Sequence, residues 1–140
     1  MKFEGIYTPI ITPYDDKGSI NFDAIEAIIE DLITSGIHGL VIAGTTGEYY
    51  AQDVDERLEV MKVCKDIING RLPYIVGTGA IRTEDSVFYA EQAAKIGADG
   101  ILVATPPYAL PTERENALHA LAIDRAANLP IMLYNYPGRK

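Results

Sequence analysis

The chain has 140 residues, a net charge of −8 and 48% hydrophobic residues, which suits one packed domain and argues against a disordered chain. A sequence pI near 4.6 argues against nucleic acid and anionic membrane surfaces as partners. The single cysteine, Cys64, excludes an internal disulfide framework and fits a reducing, cytoplasmic setting.

In chain order, Met1-Lys2-Phe3-Glu4 lacks the basic region of a signal peptide, and Pro9 and Pro13 interrupt the apolar stretch that follows. Apolar, β-rich runs then begin near Ile6, Gly39, Pro73, Gly100 and Pro130. They recur about every 30 residues, the size of a strand-crossover-strand unit. Leu40 to Ala43, Tyr74 to Val76, Ile101 to Ala104 and Ile131 to Tyr134 run without polar alternation. That pattern predicts strands buried on both faces of a parallel sheet, and each run is far too short to cross a bilayer.

Helical patterns fill the intervals. The first carries Phe22, Ile25, Ile28, Ile29, Leu32 and Ile33 and ends near Ser35-Gly36; the second starts at Asp53, with Glu56 completing an acidic capping box, and stops at Asn69-Gly70. The third opens at Thr83, with Glu84 and Asp85 in its first turn, and ends at Gly97. The fourth follows Pro111-Thr112 and runs to about Asn128.

Strict alternation implies an α/β fold with right-handed crossovers. A (β/α)8 barrel takes about 31 residues per unit, so five strands and four helices make a little over half of one. A five-stranded doubly wound sheet suits the length better but needs a phosphate-type loop, for which Gly77-Thr78-Gly79-Ala80 lacks the third glycine.

Hydroxyls and charge gather where the predicted strands end, the end at which parallel α/β proteins bind ligands. The segments are Gly44-Thr45-Thr46-Gly47-Glu48, Gly77-Thr78-Gly79, Thr105-Pro106-Pro107-Tyr108 and Tyr134-Asn135-Tyr136-Pro137-Gly138-Arg139. With Thr12-Pro13-Tyr14, Gly18 and Asp23 before them, they resemble, in register and along the whole chain, one family. It is the pyruvate-dependent class I lyases and synthases that include dihydrodipicolinate synthase and N-acetylneuraminate lyase.

The resemblance implies that residues 1–140 are the N-terminal part of a single (β/α)8 TIM-barrel domain. It implies a Schiff-base lyase or synthase acting on pyruvate or a related 2-oxo acid, with no cofactor and no metal. Thr45 and Tyr134 would form a proton relay with Tyr108, which in the family enters the neighbouring subunit's site across a tight dimer. Thr46 would hold the 2-oxo acid carboxylate, and Arg139 the carboxylate of a second substrate, as in the synthase branch. The expected partners are further copies of the chain, as a dimer or tetramer, or a complementing C-terminal fragment.

The chain also departs from the family pattern. The imine lysine falls some two dozen residues beyond Tyr134, so it is expected past Lys140, and the chain alone is expected to be inactive. Tyr49-Tyr50 replaces smaller residues and builds a bulkier wall. Val54, Ile81 and Pro107 stand where feedback-inhibited members carry polar or aromatic residues, so inhibition by lysine is not expected. The alternative is a non-catalytic half-barrel that binds 2-oxo acids or pairs with a full-length relative. His38 and His119 lack metal-ligand spacing and read as structural; Cys64 reads as core; Asp53, Asp55, Glu56 and Glu59 read as a helix start and solvated face.

Overall fold

Local polar residues start the helices close to where the pattern predicts. In the computed structural model, which describes residues 2–136, α1 (Phe22–Thr34) begins where the Asn21 side chain accepts from the Ala24 N–H. Helix α2 (Val54–Ile68) carries the capping box of Asp53 and Glu56, and α4 (Glu113–Ala127) repeats it with Thr112 and Glu115. Helix α3 (Thr83–Ile96) differs: its N-cap, Arg82, makes no side-chain cap bond. Thr83 is instead bonded through its hydroxyl to His119 Nδ1 on α4, at 2.9 Å. Left-handed residues close three helices, Asn69, Gly97 and Asn128.

The strands are β1 (Tyr7–Pro9), β2 (Gly39–Ile42), β3 (Tyr74–Gly77), β4 (Gly100–Ala104) and β5 (Ile131–Tyr134). All pair in parallel in the order β1-β2-β3-β4-β5. A doubly wound sheet reverses direction at a switch point; here the order never reverses. Right-handed crossovers then keep the helices on one side, each packed beside the next. The result is five strands and four helices of a barrel wall.

Residue alternation divides the two faces of that wall. Leu40, Ile42, Tyr74, Val76, Ile101 and Val103 join Ile25, Ile29, Met61, Cys64, Ala90, Ala93 and Ile123 of the helices in one buried core. The paired register puts Pro9, Val41, Ile75, Gly77, Leu102, Ala104, Met132 and Tyr134 on the opposite, inward face. Tyr74 crosses the core and donates its hydroxyl to the Met61 carbonyl at 2.7 Å.

Burial on both faces holds for β2 and β3, each buried at every residue, and β4 is mostly buried. For β5 the expectation needs correction. Leu133 is 66% exposed and Tyr134 50%, because β5 is an edge of the sheet and no described helix covers its outer face. No described helix is long and apolar enough to cross a membrane.

Candidate active site

The C-terminal end of β2 is built from strained backbone. Ala43 and Glu48 both hold left-handed φ angles, 57° and 54°, which cost non-glycine residues of order 1 kcal/mol. Between and after them, Thr45–Gly47 and Tyr49–Ala51 form two short 3-10 turns leading to the Asp53 cap. This kinked path lets the strand stop abruptly and leaves Thr45 and Thr46 side by side and exposed. Gly77 permits the close approach: a Cβ there would lie 2.4 Å from the Ala43 carbonyl oxygen, a backbone atom that cannot swing away.

A partly buried polar cluster supports the turn. Thr12 donates its hydroxyl to the Gly47 carbonyl at 2.8 Å. The Gln52 amide donates to the same carbonyl at 3.1 Å and to the Thr12 hydroxyl at 3.2 Å. The loop after β1 and the loop after its neighbour β2 are thereby tied together at the strand ends.

Two cavities open at this end. The inner one, about 140 Å³, is lined by Thr45, Thr46, Tyr49, Gly77, Gly79 and Tyr134 among others. The outer one, about 470 Å³, is lined by Thr45, Tyr49, Tyr108, Tyr134 and Tyr136 with the Pro106-Pro107 loop. Thr45, Thr46 and Tyr134 therefore converge on one inner space, and Thr45, Tyr108 and Tyr134 on the outer. Tyr134 stacks on Tyr136 with ring centroids 6.4 Å apart and planes 12° from parallel. Tyr108 stands away from the wall, wholly exposed and at a left-handed φ of 69°. Arg139 lies outside the described residues.

His119 is buried, and burial lowers its pKa below the usual imidazole value, partly offset by its bond to the Ala104 backbone. With its bond to Thr83, it links the start of α3 to the end of β4, directly before the Tyr108 loop. Cys64 is fully buried, and burial pushes its thiol up to about 12. No group of three or more His, Cys, Asp or Glu side chains suited to a metal ion occurs among the described residues. No lysine among the described residues lines either cavity.

Arg57 is the residue that sequence reasoning missed. It sits among the acidic residues at the start of α2, which read as a helix start and solvated face. The only available signal was its helical phase, three residues before Val60 and four before Met61, on the face those core residues mark as inward.

Comparison with known proteins agrees with this architecture. The model of the dihydrodipicolinate synthetase family matches residues 2–140. The 4-hydroxy-tetrahydrodipicolinate synthase of Bacillus subtilis (strain 168) is 37% identical over 139 residues, covering 99% of this chain and 48% of its own length. That of Chelativorans sp. (strain BNC1) is 42% identical over 137 residues, covering 98% and 47%. A solved structure of the synthase from Methylacidiphilum fumariolicum SolV superposes with a TM-score of 0.94 at 36% identity, over 99% of this chain and 46% of that one. The chain spans about half the length of the curated relatives it matches, and its half-barrel corresponds to the N-terminal part of a TIM barrel. On these grounds the chain belongs to the dihydrodipicolinate synthetase family.

Proposed function

We propose that the chain carries the N-terminal part of a Schiff-base lyase or synthase acting on pyruvate or a related 2-oxo acid, with the imine lysine beyond residue 140. The observation that carries this reading is the convergence of Thr45, Thr46 and Tyr134 on one inner cavity at the strand ends. A lysine amine would condense with the 2-oxo carbonyl and release water. The protonated imine then accepts the electron pair of the adjacent carbon as that carbon loses a proton or breaks its bond. Thr46 holds the carboxylate, and Thr45, Tyr134 and Tyr108 pass protons through hydroxyls that both donate and accept.

Tyr108 completes this relay from a second copy of the chain, which accounts for a strained, fully exposed tyrosine at the cavity rim. Arg139 takes the carboxylate of the second substrate. The setting is the cytoplasm, no cofactor is required, and the assembly is a dimer or tetramer of the longer polypeptide.

The test is intact-protein mass after incubation with pyruvate and borohydride, which reduces an imine to a stable amine. No adduct is expected on the 15.3 kDa chain, and one adduct is expected on a longer polypeptide that contains it. In that polypeptide Tyr134→Phe is expected to slow turnover about 100-fold or more. An adduct on a lysine of the short chain refutes the placement of the nucleophile, and no adduct on either refutes Schiff-base chemistry.

A second reading, a non-catalytic half-barrel that pairs with a complementing fragment or a full-length relative, is favoured by the edge strands β1 and β5 and the exposed Leu133. Sedimentation decides it: a clean monomer of the chain counts against any such pairing.

A further inference from the structure

Arg57 has no part in the reaction outlined above. Its side chain is 2% exposed, and no carboxylate forms a salt bridge with it among the described residues. Burial lowers its pKa to about 10, so the guanidinium stays cationic at neutral pH. A buried cation is costly unless its donors and charge are answered. Here Nη1 donates to the Gly79 carbonyl at 2.9 Å and Nη2 to the Gly77 carbonyl at 2.7 Å. The guanidinium carbon lies 3.7 Å from the Tyr89 ring centroid and 4.6 Å from that of Tyr49. One planar fork thus grips the end of β3 while its faces meet rings from α3 and from the loop after β2. A lysine, a point charge without the fork, cannot reproduce that arrangement.

Tyr49 is the residue of this cluster that reaches the cavities. It lines both the inner and the outer cavity. It also rests against Gly79, where an added Cβ would come 2.8 Å from the phenol oxygen. Gly79 is therefore the floor under the ring, and Arg57 the backing that keeps it upright.

We propose that Arg57 is a positioning residue that holds the Tyr49 ring at the boundary of the two cavities and so limits the size of the 2-oxo acid that reaches Thr45 and Thr46. The substrate class rests on the function proposed above; the positioning of Tyr49 does not.

Two readouts separate the parts. The first is the Tyr49 ring resonance of the chain with carbon-13-labelled tyrosine, assigned by its loss in Tyr49→Phe. The second is the ratio of affinities of the longer polypeptide that contains the chain for pyruvate and the bulkier 4-methyl-2-oxopentanoate. Arg57→Met is expected to move the Tyr49 resonance toward that of a solvated tyrosine and to lower the pyruvate preference about tenfold, the discrimination of a methylene or two in a pocket. Arg57→Lys should fall between. Gly79→Ala should displace the same resonance with the arginine intact, and with Arg57→Lys it carries the test if Arg57→Met fails to fold. An unmoved Tyr49 resonance in the arginine variants overturns the proposal. So does an equal weakening toward both acids, the mark of a merely structural role. If the longer polypeptide that contains the chain binds neither acid, the 2-oxo acid reading falls and the size limit with it. The resonance still decides whether Arg57 positions Tyr49.

Discussion

Removing the Thr12 hydroxyl and the Gln52 amide together should cost more than the two changes made separately. Both groups donate to one acceptor, the Gly47 carbonyl, at 2.8 and 3.1 Å. Thr12→Val deletes two hydrogen bonds, the one it donates to Gly47 and the one it accepts from Gln52, while nearly conserving shape, an expected loss of about 1–2 kcal/mol. Gln52→Leu deletes the other donor but also removes Gln52 Oε1, a buried atom without a hydrogen-bond partner, so its loss should be about 1 kcal/mol or less. In either single variant the carbonyl keeps a side-chain donor. In the double variant it loses both, and an unsatisfied buried acceptor costs about 1–3 kcal/mol. The Thr12–Gln52 bond is lost in both single variants and counted twice in their sum, which offsets about 1 kcal/mol of that cost, so the double variant should exceed the sum by about 1 kcal/mol. The assay is urea unfolding followed by far-ultraviolet circular dichroism, since the chain has no tryptophan. Additivity within about 0.3 kcal/mol would refute the shared-acceptor reasoning. The consequence for the site is direct, because Gly47 follows Thr46 in the turn that presents both threonines.

Two further outcomes follow from titration and burial. The folded state depresses the His119 pKa, so its contribution is complete above the ordinary imidazole value near 6.5 and is lost as pH falls below it, with a slope of at most about 1.4 kcal/mol per pH unit; His119→Asn should flatten that dependence of the urea midpoint, and an unchanged slope sinks the assignment. Cys64, with its thiol raised to about 12, should resist thiol reagents at pH 8 and react only as the chain unfolds, with stability falling once pH passes the free-thiol value near 8.5; labelling of the native protein at the rate of free cysteine would contradict its burial.

Element ends and the strand-helix alternation were legible in the sequence because their causes are local. Asp53 and Glu56 are three residues apart, and their reciprocal bonds form as soon as the first turn of α2 exists. The terminators Asn69, Gly97 and Asn128 act through their own backbone conformations. Thr45, Thr46, Tyr108 and Tyr134 were nominated from motifs, and the shared cavities that gather them depend on the register of β2, β4 and β5.

What the sequence determined by itself was the repeating unit, the capped helices and the chemistry gathered at the strand ends. Only the tertiary structure decided the unreversed strand order, the exposed edge at β5, the bond from Thr83 at the start of α3 to His119, and the burial of Arg57. Each of these depends on groups far apart in sequence: 22 residues separate Arg57 from Gly79, and 36 separate Thr83 from His119. A charged residue on a helix has no sequence mark that says which carbonyls it will meet. Its role is settled when β3 closes against β2 and the guanidinium has nowhere to go except between two rings and two backbone oxygens.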